Sequence, residues 1–272
     1  MIPAAFDYAV AGSAEEAVSL IGEHGDDAKL IAGGHSLIPL LRFRFAAPSV
    51  LVDIGRIDDL SYIREQDGRL AIGALATHRQ VETSDLLHQR APMLSAVAAQ
   101  IGDPSVRHRG TIGGSLAHGD PASDLPAALL ALGGSVVARG PNGEREIGAD
   151  DLFTGFLETA LAPDELLTEV RVPVDGAAGW SYQKFNRRAQ DWAIVGAAVR
   201  LGDDPRVALV NMASTPMRAT AVEQALADGA AAADAASLAG DGTNPPEDLN
   251  GDAEYRRHLA TVLVGRGLAD AS

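Results

Sequence analysis

Two pairs of adjacent glycines constrain the backbone of this 272-residue chain more than any other feature. Gly33-Gly34 follows an apolar run at 29–32 that predicts a short strand, and Gly113-Gly114 lies within Thr111-Ile112-Gly113-Gly114-Ser115. Glycine has no Cβ, so the backbone at such a pair can adopt positive φ and approach another group closely. One Gly-Gly pair on its own is more often only a tight turn, so neither pair alone indicates a function.

Both segments nevertheless have the composition of a phosphate-binding site. A diphosphate requires several backbone N–H groups directed at it, and glycine lets them come close. The first segment, Ala32 to Ser36, ends a strand and begins a short helix, which adds the positive end of a helix dipole. Ser36 is predicted to cap that helix, and Pro39 fits only in its first turn. Neither segment contains the Gly-x-Gly-x-x-Gly or Gly-x-x-x-x-Gly-Lys-[Ser/Thr] motif of better-known nucleotide sites.

The segment from Leu116 to Pro126, which follows the second glycine pair, contains two aspartates, Asp120 and Asp124. Glycine and two prolines hold these carboxylates in irregular backbone, where a carboxylate can accept hydrogen bonds from ribose hydroxyls. The alternative is that both aspartates only cap turns and the helix predicted to begin at Pro126.

The order of the predicted elements indicates an α+β fold. Ser13 and Glu16 predict a capping box for the first helix, and two short strands joined at Asp67-Gly68 predict a hairpin. Thr77 is predicted to cap the helix that follows. Strands and helices do not alternate regularly as in a doubly wound sheet, which favours α+β over α/β.

The small residues from Val174 to Gly179 predict a domain boundary. We expect a first domain over 1–175, with subdomains at about 1–55 and 56–175, and a second domain over 176–272. The second domain is predicted to contain a three-stranded meander and two helices, at Trp180–Phe185, Val195–Leu201, Arg206–Met212, Arg218–Ala227 and Tyr255–Arg266.

Composition excludes several classes of function. The formal net charge of −15 disfavours binding to nucleic acid or to anionic lipid. The chain has no cysteine, which excludes disulfides and cysteine-ligated zinc or iron–sulfur sites within it. Seven histidines lie scattered without ligand spacing, so no metal site is expected. No apolar run reaches the roughly 20 residues of a membrane helix, and no signal peptide is evident, so a cytoplasmic protein is expected.

Read together, the two glycine segments, His118-Gly119-Asp120-Pro121, Asp124-Leu125-Pro126 and the stretch from Tyr182 to Ala193 resemble a known family. They are similar to the FAD-binding medium subunits of carbon monoxide dehydrogenase and, more broadly, to the flavin subunits of molybdenum hydroxylases such as xanthine dehydrogenase. The resemblance covers essentially the whole chain. It implies a two-subdomain FAD-binding domain of the vanillyl-alcohol-oxidase (PCMH) type, followed by a smaller α+β C-terminal domain.

The resemblance also implies which residues hold the FAD. Those around the diphosphate would be Ala32, Gly33, Gly34, His35, Ser36, Thr111, Ile112, Gly113, Gly114 and Ser115, the last of which is asparagine in many relatives. Asp124 would lie near the adenosine ribose, Leu161 near the adenine, and Lys184 near the cofactor. Trp192 occupies a position where relatives often carry a tyrosine near the flavin. No residue of the chain is expected to be catalytic itself.

The implied function is that of a flavoprotein subunit of a carbon-monoxide-dehydrogenase-like oxidoreductase. Such a chain takes electrons from a 2Fe-2S ferredoxin-like small subunit and passes them to an external acceptor such as a quinone. A molybdopterin-binding large subunit oxidises the substrate, and the assembly is expected to be a dimer of heterotrimers. The alternatives are a stand-alone flavin oxidase or reductase, for which no general acid or base stands out, and a flavin-free scaffold.

Overall fold

The computed structural model describes residues 2–174 and 179–272. Most of the predicted domain boundary, residues 175–178, therefore lies outside the described residues. The helices are α1 Ala14–His24, α2 Leu37–Phe43, α3 His78–Thr83, α4 Asp85–Arg90, α5 Pro92–Ala99, α6 Pro104–Arg107, α7 Ile112–His118, α8 Asp124–Leu132, α9 Ala149–Leu152, α10 Thr220–Ala227, α11 Ala232–Ala236 and α12 Ala253–Ala271. Within the described ranges, no helix is long and apolar enough to cross a membrane.

The strands form four sheets. They are β1 Asp7–Val10, β2 Ala28–Ile31, β3 Val50–Asp53, β4 Ile63–Gln66, β5 Arg69–Gly73, β6 Ser135–Gly140, β7 Gly143–Gly148, β8 Phe153–Gly155, β9 Glu158–Thr159, β10 Leu166–Pro173, β11 Trp180–Phe185, β12 Val195–Arg200, β13 Arg206–Val210 and β14 Met217–Arg218. The orders are β1-β3-β2, β4-β5-β10-β6-β7, β11-β12-β13-β14 and the β8-β9 pair. This mixture of helices with mostly antiparallel sheets confirms the predicted α+β class.

The N-terminal sheet is parallel, with β3 between β1 and β2. Helix α1 covers it, because Ala14, Ala17, Val18 and Ile21 fall on one helical face and are buried. Only half of the predicted capping box forms. The Ser13 side chain accepts from the backbone N–H of Glu16, but the Glu16 carboxylate accepts from the N–H of Gly12 instead of Ser13.

The five-stranded sheet is antiparallel and has β10 at its centre, between β5 and β6. The predicted hairpin is confirmed as β4-β5, whose turn residues Asp67 and Gly68 have φ values of 52° and 74°. A two-residue turn with positive φ at both central residues has a backbone twist that matches the twist of the two strands it joins. Thr77 caps α3 through a complete capping box with Gln80.

The C-terminal sheet contains the predicted meander, β11-β12-β13, and adds the short strand β14. Helix α12 packs against β11 and β12, while α8 from the preceding part of the chain packs against β12 and β13. Every residue of α8 is buried. A helix that is apolar on all sides needs partners on all sides, and α8 has α5 and this sheet as neighbours.

Arg256 on α12 is completely buried and holds the start of β12 in place. Its Nη1 donates to the carbonyl of Ile194, and its Nη2 donates to Asp248 at 2.8 Å. Since Ile194 follows Trp192 by two residues, this arginine anchors the segment that precedes β12.

We expect Arg256→Ala to lower the free energy of unfolding by about 3 kcal/mol, because it removes a buried side chain and leaves the Ile194 carbonyl with only the longer 3.4 Å hydrogen bond from Asn211. For a chain of this size that corresponds to a melting temperature lower by roughly 6 to 12 °C. Thermal unfolding followed by circular dichroism measures the change. The matched control is His258→Ala at a nearby exposed position of the same helix, which should melt like the unsubstituted protein. Equal melting temperatures for both variants would contradict the role given to Arg256.

Candidate functional site

A cleft of about 620 Å³ lies where the N-terminal sheet, helices α3 and α7 and the segment between β11 and β12 meet. Pockets of this size are typical of sites for small molecules and cofactors. Its lining includes every residue singled out from the sequence as a cofactor contact except Ile112. Those that line it are Ala32, Gly33, Gly34, His35, Ser36, Thr111, Gly113, Gly114, Ser115, Asp124, Leu161 and Lys184.

The first glycine segment lies against the backbone of Arg109 and Gly110, which immediately precede the second glycine segment. A Cβ built on Gly33 would lie 2.2 Å from the carbonyl oxygen of Arg109 and 2.8 Å from Cα of Gly110, so no larger residue fits there without movement. Gly34 has a φ of 76°, which L-residues rarely adopt. The two glycines therefore serve different purposes, close approach and backbone turn.

The backbone N–H groups of residues 33–36 make no hydrogen bond within the described part of the chain. Because N–H groups without a partner are rare away from water, a run of them beside a cleft is suited to hold an anion. Ser36 precedes α2, but its side chain forms no capping bond, so the predicted cap is wrong. Its backbone already has helical angles, φ −93° and ψ −47°, whereas capping requires an extended residue. Its hydroxyl makes no hydrogen bond with the described residues.

The second glycine segment is the first turn of helix α7 and not a loop. Thr111 is its N-cap, and its hydroxyl oxygen accepts from the N–H of Gly114 at 3.2 Å. The N–H groups of Ile112 and Gly113 donate to the carbonyls of Ala76 and Ala74, both at 2.9 Å, and that of Ser115 donates to Thr111. These amides are therefore engaged inside the protein, and the segment offers the cleft the Ser115 hydroxyl and the exposed surface of Gly114.

Ile112 lies in the hydrophobic core and is 1% exposed, which is why its side chain does not reach the cleft. Gly113 packs closely against the end of β5, since a Cβ built on it would lie 2.5 Å from Cβ of Ala74. Ile112 and Gly113 therefore fix the segment against the core, while Gly114 and Ser115 face the cleft.

Asp124 is the first residue of α8, two residues before the predicted start of that helix, and it is buried. One carboxylate oxygen accepts from Nζ of Lys184 at 2.8 Å, and the other accepts from the hydroxyl of Tyr182. Lys184 also donates to the carbonyl of Gln100 at 3.0 Å. Asp120, by contrast, accepts from the N–H of Ala122 at 2.8 Å and so caps a turn, as the alternative interpretation predicted.

The Asp124–Lys184 pair is an ion pair inside the protein, with side-chain exposures of 6% and 3%. Burial raises the pKa of the Asp124 carboxyl, and the charge and hydrogen bond of Lys184 oppose that shift. Burial likewise raises the pKa of Tyr182 well above its usual value, so the phenol stays protonated and donates to Asp124. Removing one partner of such a pair leaves a charge without compensation, so Asp124 and Lys184 depend on each other.

Most of the remaining residues that line the cleft are uncharged. Leu157, Leu161 and Trp192 contribute apolar surface, and Trp192 is 58% exposed at the edge. Gln190 and Asp191 lie beside the tryptophan on the same segment. Flat apolar surfaces of this kind suit the faces of planar rings.

The basic residues near the second segment do not line the cleft. Nε of Arg107 donates to Glu82 at 2.9 Å, and its Nη1 donates to the carbonyl of Ile101, so it is engaged elsewhere. Arg188 similarly forms an ion pair with Asp191 at 3.1 Å. Among the described residues, no group of three or more histidine, cysteine, aspartate or glutamate side chains is placed to hold a metal ion.

Three histidines do line the cleft: His35, His118 and His78. Burial lowers the pKa of His118, opposed by the charge of Asp120. His78 was not distinguished by the sequence, because nothing in its spacing separates it from the other scattered histidines. Tyr182 was missed as a partner of Asp124 because the two residues are 58 positions apart, so no local pattern connects them.

Comparison with known proteins matches both parts of the chain to described families. The family of the FAD binding domain in molybdopterin dehydrogenase matches residues 4–175. The CO dehydrogenase flavoprotein C-terminal domain matches residues 180–271. The matches cover the cleft and the sheet that contributes Lys184.

Individual relatives and solved structures agree with these family matches. The chain is 41% identical to the carbon monoxide dehydrogenase medium chain of Hydrogenophaga pseudoflava, covering 98% of this chain and 97% of the relative. It is 43% identical to subunit alpha of the 6-hydroxypseudooxynicotine dehydrogenase complex of Paenarthrobacter nicotinovorans, covering 100% and 96%. It superposes with a TM-score of 0.96, at 44% identity and coverage of 100% and 98%, on a chain of a Hydrogenophaga pseudoflava carbon monoxide dehydrogenase that lacks the Mo-pyranopterin moiety of its cofactor. The chain therefore belongs to the family of FAD-binding subunits of the molybdopterin dehydrogenases, a family of oxidoreductases that includes carbon monoxide dehydrogenase.

Proposed function

We propose that this chain is the electron-transfer subunit of a molybdenum hydroxylase complex and holds its FAD in the cleft described above. The observation that carries the proposal is the run of backbone N–H groups at residues 33–36, which have no partner among residues 2–174 and 179–272 and border a cleft large enough for a cofactor. The proposed contacts are Ala32, Gly33, Gly34, His35, Ser36, Thr111, Ile112, Gly113, Gly114, Ser115, Asp124, Leu161 and Lys184.

The diphosphate fits the space between the two glycine segments. The first segment contributes N–H groups and the free Ser36 hydroxyl, and the second contributes the Ser115 hydroxyl. A diphosphate oxygen accepts hydrogen bonds from such donors, and charge-assisted bonds of this kind are the strong ones. Ile112 takes part only through the backbone that it fixes, because its side chain is in the core.

The other parts of the cofactor fit the remaining walls. Each oxygen of the Asp124 carboxylate already has one donor, and a carboxylate oxygen can accept a second. A ribose hydroxyl is therefore a suitable further partner for Asp124. Leu161 offers an apolar surface for the adenine, and Lys184 places a fixed positive charge in the lining of the cleft.

When FAD is bound, its isoalloxazine ring supplies the redox chemistry, and the chain contributes binding, orientation and electrostatics. The chain has no cysteine, so an iron–sulfur cluster that delivers electrons must belong to a partner. We infer a 2Fe-2S small subunit and a molybdopterin-binding large subunit as partners, in a dimer of heterotrimers. The acceptor of the electrons is external to the chain.

The relatives support the inference that another subunit, and not this chain, determines the substrate of the complex. Chains named for carbon monoxide, caffeine and glyceraldehyde dehydrogenases are 41%, 36% and 32% identical to this one over at least 98% of its length. One flavin-binding fold thus accompanies several unrelated substrates, as expected if the substrate meets only the molybdenum centre.

We also propose the division into domains at 1–175 and 176–272, with subdomains at about 1–55 and 56–175. It is supported by the three larger sheets, each of which lies within one of these parts. Three separate hydrophobic clusters have their centres in the same parts, although the largest of them extends into β12 and β13.

Gly33→Ala should reduce FAD binding by about tenfold or more, because the added Cβ must push the segment away from the Arg109 carbonyl and misalign the free N–H groups. Flavin absorbance per mole of purified protein measures the change. Gly22→Ala is the matched control, since a Cβ built there meets nothing within 4 Å. Unchanged flavin content in Gly33→Ala would show that the first segment does not hold the diphosphate.

Gly114→Asp should abolish FAD retention, because it sets a carboxylate against the diphosphate. Gly114→Ala separates crowding from charge, since the nearest atom to a Cβ built there is Oγ1 of Thr111 at 2.8 Å. Gly22→Asp introduces the same charge on α1, away from the cleft. We expect loss of flavin in Gly114→Asp that exceeds the loss in Gly114→Ala, with none in Gly22→Asp. Equal flavin content in all three variants would place the diphosphate elsewhere.

Purification under native conditions tests the electron-transfer role. A tagged chain should copurify with an iron–sulfur protein and a molybdopterin protein, and substrate should reduce its FAD only in that assembly. A tagged chain that is isolated alone and is reduced directly by a small organic substrate would contradict the proposal and favour the stand-alone flavoenzyme.

A further inference from the structure

His78 is the first residue of α3, and the backbone around it is tied to the second glycine segment. Its N–H donates to the carbonyl of Gly110 at 2.8 Å, and Thr77 forms an antiparallel bridge with Thr111. The side chain is only 5% exposed, yet it belongs to the lining of the cleft. The small accessible part of this residue therefore faces the cofactor site.

Gly110 lies against both the imidazole and the first glycine segment. A Cβ built on Gly110 would lie 2.7 Å from Nε2 and from Cδ2 of His78, and a Cβ built on Gly33 would lie 2.8 Å from Cα of Gly110. One residue without a side chain thus separates the ring from the unpaired N–H groups of the first segment. The Nε2 edge of the ring is the edge that points to this junction.

The two ring nitrogens of His78 differ in their surroundings. Nδ1 is fully buried and has no hydrogen-bond partner in the described part of the chain. Nε2 also makes no hydrogen bond there, but it is not among the fully buried atoms, so it has access to the cleft. Unpaired buried N–H donors are rarer than unpaired acceptors, which favours the tautomer with the proton on Nε2.

The imidazole is neutral at physiological pH. Burial lowers the pKa of His78 to about 4, and the neighbouring charges of His35 and Arg107 act in the same direction. A neutral ring with its proton on Nε2 is a hydrogen-bond donor toward the cleft.

We propose that His78 is a further cofactor-binding residue, whose Nε2–H donates to an oxygen of the bound diphosphate beside the first glycine segment. The inference rests on the proposed function, since it requires the diphosphate to lie between the two glycine segments. This side chain would supply one more hydrogen-bond donor beside the N–H groups of residues 33–36, from which Gly110 separates it. A packing role against Gly110 alone is the alternative, and it predicts no dependence on the donor.

The test compares two substitutions that differ in the donor. His78→Leu removes the donor, and His78→Gln keeps an N–H group at about the position of Nε2. The protein is purified with any subunits that copurify, depleted of FAD, and titrated with FAD by flavin fluorescence. His258→Leu on the exposed side of α12 is the matched control.

A hydrogen bond to a charged acceptor leads us to expect FAD binding that is about 10- to 100-fold weaker in His78→Leu. Binding in His78→Gln should stay within about threefold of the unsubstituted protein, as in the control. Unchanged affinity in His78→Leu, or an equal loss in both His78 variants, would overturn the inference. If Gly114→Asp still abolishes retention in that case, the diphosphate site stands and only the role of His78 falls.

A second measurement does not depend on how well His78→Leu folds. Long-range proton–nitrogen spectra of protein labelled with ¹⁵N-histidine report the tautomer of each ring. The resonance that is absent in His78→Gln should show the neutral Nε2–H form at neutral pH and should shift when FAD is added. A charged ring, an Nδ1–H tautomer, or no response to FAD would contradict the inference.

Discussion

The close approach of Gly33 to the backbone at Arg109 and Gly110 is the contact on which the rest of the site depends. It brings together a segment that leaves the N-terminal parallel sheet and a segment that precedes α7, across 76 positions of the chain. A methyl group at Gly33 would lie within 2.2 Å of a carbonyl oxygen, so the approach exists only because the residue has no side chain. Without it, the free N–H groups and the Ser115 hydroxyl would not border one cleft.

The two glycine segments make complementary contributions. In the first, the N–H groups have no hydrogen-bond partner within the described residues and lie beside the cleft. In the second, the N–H groups donate to carbonyls within the protein, which starts α7 and attaches it to Ala74 and Ala76. The first segment thus contributes N–H donors to the cleft, and the second contributes a fixed backbone and the Ser115 hydroxyl.

The ion pair of Asp124 with Lys184 joins the C-terminal sheet to the cleft. Lys184 lies on β11, Asp124 begins α8, and Tyr182 on the same strand completes the contact. A buried pair of charges is weak as a source of stability but costly to break. It therefore fixes how the C-terminal sheet meets the cleft, while the buried Arg256 holds the start of the neighbouring strand through the Ile194 carbonyl.

Local chemistry made several elements predictable. The Asp67-Gly68 hairpin, the Thr77 cap and the meander depend on turn, capping and alternation rules that act within a few residues. The second glycine segment was harder, since two glycines weaken a helix by propensity, and only its packing against β5 and the Thr111 cap make it helical. Likewise, the pairing of Glu16 with Gly12 and the free hydroxyl of Ser36 depend on backbone angles that the residue types do not reveal.

The amino-acid sequence by itself determined the family and the cofactor, because the glycine segments, the aspartates after them and the strand of Lys184 occur together in one order. It also determined that the chain needs a partner for any iron–sulfur cluster, since it contains no cysteine. Only the tertiary structure decided which N–H groups of the described residues lack a partner, that Ile112 is in the core, that His78 lines the cleft and that Tyr182 donates to Asp124. These properties depend on contacts between residues that are far apart in the chain, and hydrogen-bond partners and burial are set by those contacts and not by spacing.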